Sequence, residues 1–270
     1  VNITWFGART GIDCTAAFNS AQAQLPSGGT IYWPPGVWNC NITIATNGIT
    51  LRGEKSVLPT RGSILVPWSA SAPVIKIGTG TANTSQTRIA DLTVGAGNIG
   101  IQISAGGGVG CVIERVDTYV YLGSSTTNVL VQDGECRLNQ LGISQVGSTY
   151  SNLFGIVFAP DSGNGYFSRG LVTMQQMHVG SPPATCSNSW AIYAIGQWRP
   201  FISDSYFDLI AGHGIWMGSN SIIYASNVAF DGTAGAEAIY VQGPPSPIGR
   251  SIHGVYTLDG AVSYSGVCVS

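Results

Sequence analysis

Short hydrophobic runs recur along the chain, each led by a small residue or by Asn, and apolar positions alternate within them. The copies begin 23 to 36 residues apart and occupy 100–103, 128–131, 155–158, 191–194, 214–217, 238–241 and 266–269. Period-two alternation that ends at Gly, Asn, Asp or Ser is typical of short strands joined by tight turns. The recurrence predicts a repeat protein in which each copy belongs to one rung.

A second hydrophobic phrase lies between successive copies of the first, so every rung holds at least two strands. Its copies occupy 89–94, 113–120, 138–146, 174–179, 202–207, 225–230 and 252–258. Strands that repeat without hairpin returns favour an all-β fold, a right-handed parallel β-helix with rungs about 4.8 Å apart. We expect a single domain over 1–270, with the cap and first strands in 1–40 and stacked rungs in 41–270.

The first forty residues follow a different pattern, which predicts a short N-terminal helical cap. Asp13 is suited to cap a helix over about 14–24. The apolar face of this helix would consist of Ala16, Ala17, Phe18, Ala21 and Leu25. A strand, a proline turn and a second strand follow in 30–38. Such a helix would cover the open hydrophobic end of the solenoid.

Composition excludes several classes of protein. The chain has 37 Gly, 9% charged residues and a formal net charge of −2, which gives no reason to expect nucleic acid as a partner. Hydrophobic segments are interrupted every few residues and never approach the ~18 apolar residues of a membrane span. Because the chain begins at Val1 without a basic and apolar leader, we expect a processed form or a fragment of something longer.

The cap resembles the N-terminal signature of the pectate-lyase-like β-helix superfamily. The matching segments are Trp-Phe-Gly-Ala at 5–8, Gly-Ile-Asp-Cys-Thr-Ala-Ala-Phe at 11–18, the run from Gly28 to Trp38, and Ile-Thr-Leu-Arg-Gly-Glu at 49–54. That group includes polysaccharide lyases, polygalacturonases, β-1,3-glucanases and bacteriophage tailspikes. The chain departs from the pattern at 9–11, where Arg-Thr-Gly replaces Gly-Asp-Gly, and at Cys14, where a second Asp is common. The resemblance implies the fold but does not locate a site.

Aligning the rungs on their aliphatic positions brings an outward column of aromatic residues together: Tyr193, Trp216 and Tyr240, followed by Cys268. Flat rings with polar edges suit the apolar faces and hydroxyl rims of sugars, so this column is a candidate substrate platform. The alternative is that the rings pack under a loop or against another subunit.

A second column stacks the carboxylates of Asp208, Asp231 and Asp259. Repulsion between such neighbours can leave one carboxyl protonated beside a charged one, which is the pairing that a glycoside hydrolase requires. The alternative is turn chemistry, because Asp often bonds its own backbone. No complete set of metal ligands is visible, so no metal site is predicted.

A third column contains Trp190, His213, Glu237 and Ser265, only a turn away from the Asp column. We expect Asp208 and Asp231 to be the catalytic carboxylates, with Glu237 as an alternate acid and His213 orienting substrate. Trp190 would extend the platform. The Gly-His-Gly at 212–214 also resembles a segment of polygalacturonases, although the acid pair of that family is missing from 187–196. We expect His178 to be a surface residue, and we expect Asp204 and Asn227 to be structural residues of a turn.

The six cysteines allow two interpretations. Cys111 and Cys136 occupy one column of adjacent rungs, close enough for a disulfide or for two reduced thiols in an interior stack. Cys14 and Cys40 could pair across the cap, which leaves Cys186 and Cys268 unassigned.

These features predict a protein that binds an extended polysaccharide and degrades it as a glycoside hydrolase or depolymerase. It would be extracellular, in a virion tail (tailspike) or secreted, with a homotrimer as the expected assembly. Two alternatives stay open. One is a non-catalytic glycan-binding fibre or adhesin segment. The other is a uronate lyase or epimerase. We expect the hydrolase to need no cofactor, whereas a lyase could use Ca²⁺ to neutralise the uronate carboxylate.

Overall fold

The alternating runs form parallel strands that wind into a β-helix. The computed structural model describes residues 1–55, 62–79, 84–104, 109–120, 125–132, 135–144, 152–159, 171–180, 189–195, 198–209, 213–218, 223–232, 237–241, 251–252, 255–257 and 263–265. Every strand pairing in these ranges is parallel, as is expected when each rung stacks on the one before it. The predicted all-β parallel β-helix with a short N-terminal helical cap is confirmed.

A 3-10 helix (Ile3–Phe6) and α1 (Thr15–Ala23) precede the strands. The strands are β1 (Gly29–Tyr32), β2 (Gly36–Asn39), β3 (Ile42–Ile44), β4 (Ile49–Arg52), β5 (Ser63–Val66), β6 (Ile75–Ile77), β7 (Arg88–Ala90), β8 (Thr93–Ala96), β9 (Ile99–Ile103), β10 (Cys111–Val120), β11 (Ser125–Val131), β12 (Cys136–Ser144), β13 (Asn152–Phe158), β14 (Leu171–Gln175), β15 (His178–Gly180), β16 (Trp190–Ala194), β17 (Arg199–Leu209), β18 (His213–Met217), β19 (Tyr224–Gly232), β20 (Glu237–Val241), β21 (Ser251–Ile252), β22 (Val255–Thr257) and β23 (Ser263–Ser265).

The solenoid has three faces. Face 1 contains β1, β4, β7, β14, β21 and the first halves of β10, β12, β17 and β19. Face 2 contains β2, β5, β8, β15, β22 and the second halves of those four long strands. Face 3 is the sheet formed by β3, β6, β9, β11, β13, β16, β18, β20 and β23. The sequence pattern separated only two strands per rung, because each long strand runs through faces 1 and 2 as one phrase.

The corner between faces 1 and 2 is made by residues in the left-handed conformation. Their φ angles are 58° at Asp91, 51° at Arg115, 53° at Gln140, 53° at Gln176, 50° at Asp204 and 53° at Asn227. This conformation is unfavourable for residues other than Gly, although Asp and Asn tolerate it best. Hydrogen bonds between neighbouring corners offset the cost, such as that from the Asn227 amide to Asp204 at 2.8 Å. Asp204 and Asn227 are therefore structural, as predicted.

The interior is filled by side chains that stack from rung to rung. On face 3, six residues in register are fully buried: Ile101, Val129, Ile156, Ile192, Ile215 and Ile239. On face 2, the rings of Phe207 and Phe230 stack with centroids 5.0 Å apart. Burying one such side chain stabilises the fold by about 1.5–3 kcal/mol, so the column supplies a continuous core.

The helical cap forms close to where the sequence places it. Asp13 accepts hydrogen bonds from the backbone nitrogen and hydroxyl of Thr15 at 2.9 and 2.6 Å, while Cys14 is the formal N-cap residue. Ala17, Phe18 and Ala21 are buried against the first rungs, whereas Ala16, which we placed on the same face, is exposed. No helix in the described part of the chain is long and apolar enough to span a membrane.

The cysteine pairs are buried free thiols. Cys111 and Cys136 are in register on β10 and β12, as predicted, and the structure has them reduced, as it has Cys14 and Cys40. Burial raises the pKa of the Cys111 thiol to about 12, so this thiol is protonated at neutral pH and packs as a small apolar group. Cys186 and Cys268 lie outside the described residues.

Candidate functional site

Asp208 and Asp231 are in register on β17 and β19, near the end of face 2. Both are half-buried, and adjacent parallel strands place their Cα atoms about 4.8 Å apart. The predicted column is thus confirmed for two of its members. The third, Asp259, lies outside the described residues. The register there also differs from the prediction by one residue, because Phe230 pairs with Thr257 and not with Leu258.

Tyr206 contacts one of the two carboxylates. Its hydroxyl donates a hydrogen bond of 2.7 Å to Oδ2 of Asp231. This bond raises the pKa of Tyr206 to about 12, with smaller contributions from burial and from the negative charges of Asp231 and Asp208. Tyr206 therefore keeps its proton at neutral pH and acts as a fixed donor that orients one carboxylate of the pair.

His178 stacks on Tyr206, which the sequence reading did not anticipate. The two residues are in register on β15 and β17, with ring centroids 5.5 Å apart and planes 17° apart. The imidazole is exposed, so His178 adds a polar ring beside Tyr206, two residues before Asp208 on the neighbouring strand. Aligning the phrases at 174–179 and 202–207 would have paired these positions, so the signal was present in the register.

The aromatic column on face 3 is confirmed as a column. Trp216 is in register with Tyr193 on one side and Tyr240 on the other, and all three side chains are half-buried. The rings of Tyr193 and Trp216 stack at 4.3 Å with planes 20° apart. Because each ring covers one face of the other, a bound sugar would meet the remaining faces and the outer edges.

Trp190 and His213 form a second stack at the start of face 3. They are in register, and their rings lie 4.5 Å apart with planes 24° apart. Trp190 also contacts the ring of Tyr240, with centroids 6.2 Å apart. Because Trp190 is only 7% exposed, it packs against these two rings and presents little surface to a ligand.

The last rung departs from the predicted register. A bulge between Glu237 and Ile239 pairs Glu237 with Ser263 and Tyr240 with Ser265, so Ser265 belongs to the aromatic column. Glu237 lies on β20, and its side chain is outside the described part of the structure.

The structure thus brings two groups of predicted residues to neighbouring edges of the solenoid. Asp208 and Asp231 lie near the end of face 2, and His213 begins face 3 after residues 210–212.

Farther along face 2, Asp117 is paired with Lys55 at 3.1 Å. Among the described residues, no three His, Cys, Asp or Glu side chains are grouped as metal ligands would be.

No protein-family model and no curated protein sequence matches the chain. Its structure is similar to that of an alginate lyase from Paenibacillus, with a TM-score of 0.57 and 14% sequence identity over 96% of this chain and 98% of the other. The chain has the pectate-lyase-like parallel β-helix fold.

Two further proteins are similar to this β-helix at lower TM-scores. One is the A-module of a mannuronan C-5 epimerase from Azotobacter vinelandii, with a TM-score of 0.41 and 14% identity over 100% of this chain and 97% of that one. The other is the tailspike protein of Acinetobacter baumannii bacteriophage Fri1, a capsular polysaccharide depolymerase. Its TM-score is 0.42 and its identity 10%, over 97% of this chain and 63% of the tailspike.

Proposed function

We propose that the chain binds an extended polysaccharide on the outside of the solenoid and cleaves it by acid–base hydrolysis. The observation that carries this proposal is the in-register pair of Asp208 and Asp231, with Tyr206 donating to Asp231. A solved structure with this fold is an alginate lyase, so the fold accommodates action on a polysaccharide.

In the proposed reaction, the two carboxylates have different tasks because their surroundings differ. Asp231, oriented by the Tyr206 hydroxyl, attacks the anomeric carbon while Asp208 gives its proton to the departing glycosidic oxygen. Water then attacks the anomeric carbon and breaks its bond to Asp231, which leaves as a carboxylate, while Asp208 takes a proton from the water and is restored as the acid. Cα atoms one rung apart on the same face allow the two carboxyl groups to reach the ~5–5.5 Å separation of retaining glycosidases, so we expect retention of anomeric configuration.

The aromatic residues would hold the glycan beside this pair. Tyr193, Trp216 and Tyr240 offer ring edges and polar atoms along face 3, with Trp190 beneath them. His213 would bind or orient substrate between the platform and the carboxylates, and Glu237 is retained as an alternate acid. An extracellular location, in a virion tail or after secretion, and assembly as a homotrimer belong to the same proposal.

An activity screen tests the proposal. Wild-type protein is compared with the Asp208→Asn and Asp231→Asn variants on bacterial and plant polysaccharides, with product length and anomeric configuration measured. Asp204→Asn is the matched control, because Asn227 shows that the corner accepts Asn at positive φ. Shortened chains that vanish in both site variants and persist in the control are expected. A folded wild type that retains a glycan without cleaving it contradicts hydrolysis.

A uronate lyase is the second candidate, and the stack of His178 on Tyr206 favours it. An imidazole and a phenol side by side could remove a proton next to a uronate carboxyl group and protonate the leaving oxygen. Its products would carry a carbon–carbon double bond that absorbs in the ultraviolet, which hydrolysis products lack. Loss of activity on chelation of Ca²⁺ would also favour the lyase.

A further inference from the structure

Face 1 carries a groove that the proposed reaction does not use. A cavity of about 710 Å³ extends over β12, β14, β17 and β19. A smaller one of about 280 Å³ continues over β10 and β12, and the two share Arg137 and Thr173. Volumes of this size are typical of ligand sites in proteins. The left-handed corner separates the groove from the carboxylate pair on face 2.

The floor of the larger cavity consists of two outward columns in strict register. One column is Arg137, Thr173, Phe201 and Tyr224, and the other is Asn139, Gln175, Ser203 and Ser226. Each step along a column is one rung, about 4.8 Å, close to the advance of one pyranose along an extended glycan. Amide and hydroxyl groups thus recur at the spacing at which sugar hydroxyls recur.

An aromatic pair closes one end of the groove. The rings of Phe201 and Tyr224 stack with centroids 4.4 Å apart and planes 10° apart, and Phe201 is 40% exposed. An exposed apolar ring beside a row of hydrogen-bonding side chains is the combination that sugars require. Tyr224 adds a hydroxyl at the rim.

A cation lies where the two cavities meet. Arg137 is exposed, and among the described residues no carboxylate forms a salt bridge with it. Two other arginines on face 1 are paired, Arg52 with Asp91 and Arg88 with Glu114. Glu135 lines the smaller cavity, and Glu114, in register with Asn139, is paired with Arg88 and Arg115. A guanidinium without such a partner is suited to bind a carboxylate in a bidentate manner.

We propose that the face 1 groove is a second saccharide-binding site, specific for a carboxylated oligosaccharide whose acid group pairs with Arg137 and whose sugar ring packs on Phe201 and Tyr224. The site holds glycan without cleaving it. It would keep an acidic polymer attached to the solenoid while the edge of face 2 acts on another part of the same chain, which raises the local concentration of substrate.

Calorimetric titration with oligogalacturonate and with its carboxyl-reduced, neutral counterpart tests this site. The titration uses protein carrying Asp208→Asn and Asp231→Asn, so binding is measured without turnover and does not depend on the proposed hydrolysis. We expect Arg137→Gln to weaken binding of the acidic oligomer at least about tenfold, because it removes the charge-assisted hydrogen bonds of the bidentate pair, and to leave the neutral oligomer unaffected. Phe201→Ala should weaken binding of both.

Lys76→Gln is the matched control, because it removes a positive charge from face 3. Equal binding of the acidic oligomer by the parent protein and by Arg137→Gln would overturn the proposal, as would an equal loss in Lys76→Gln. Thermal unfolding of each variant checks that the fold is intact. If the wild type cleaves nothing while this pattern holds, the groove stands and the hydrolase proposal alone fails.

Discussion

The Tyr206 hydroxyl donates a hydrogen bond of 2.7 Å to the carboxylate of Asp231 on the neighbouring rung. The donor comes from β17 and the acceptor from β19, so the contact depends on the register between two turns of the solenoid. Its neighbour His178 lies on a third turn. The polar cluster on face 2 is therefore built from three successive rungs, with His178 on β15, Tyr206 and Asp208 on β17, and Asp231 on β19.

Removing this donor tests its role in positioning Asp231. We expect Tyr206→Phe to lower kcat about tenfold, because one hydrogen bond to a charged group contributes about 1.5–3 kcal/mol, while KM changes little. Tyr32→Phe is the control, since it also removes a tyrosine–carboxylate hydrogen bond, that to Glu54 near the cap. Steady-state kinetics on the polysaccharide found in the screen measures both. A fall in kcat of equal size in Tyr32→Phe would count against the role.

Alkaline titration reports the same contact without any substrate. Because the folded pKa of Tyr206 is about 12 and the ordinary value is about 10, the stabilisation is fully present below pH ~10 and is lost as pH rises toward 12. Phenolate absorbance of Asp231→Asn should show one tyrosine ionising at lower pH than in wild type. Superimposable curves would show that the hydrogen bond is absent in solution.

The glycine that leads the repeated phrase at Gly100 and at Gly155 has a steric reason. A Cβ placed on Gly100 would lie 2.6 Å from the backbone oxygen of Asn128 on the next rung, closer than real Cβ contacts. We expect Gly100→Ala to destabilise the protein by about 1–3 kcal/mol, measured by urea unfolding. Gly142→Ala should cost less, since its Cβ would meet the side chain of Asp117, which can move. A neutral Gly100→Ala would contradict this explanation.

The left-handed corner makes a prediction about side-chain shape. Gln140 has φ of 53°, and a β-branched residue is strained there more than an unbranched one. Gln140→Val should lower the free energy of unfolding by about 1–2 kcal/mol, whereas Gln140→Asn should be close to neutral. Gln102→Val provides the comparison, because Gln102 lies in the regular strand β9, where Val is favoured. Similar losses at both positions would argue against backbone strain.

The rungs could be predicted from the sequence because the buried stack requires an aliphatic residue at the same position of every repeat. Alignment on those positions correctly paired Tyr193 with Trp216 and Asp208 with Asp231. It failed in the last rung, where a bulge after Glu237 shifts the register without changing the hydrophobic pattern.

The corner and the ring contacts could not be predicted in the same way. Residues as different as Arg115, Gln176 and Asn227 adopt the left-handed conformation, so no residue type marks the position. The mutual stacking of Tyr193 and Trp216, and the burial of Trp190, depend on side-chain directions that periodicity does not give. The groove on face 1 has no sequence motif, because its residues come from four strands and form one surface only when four rungs are superposed.

Asp208 and Asp231 lie on successive rungs, so the two carboxylates are neighbours only because no other rung lies between them. Excising the turn that carries β19 and β20 would leave a shorter solenoid of the same kind, yet Asp208 would have lost its companion. Duplicating that turn would instead extend the row of acids. A protein of this architecture can therefore gain or lose chemistry by copying and deleting whole coils, while its hydrophobic stack remains continuous.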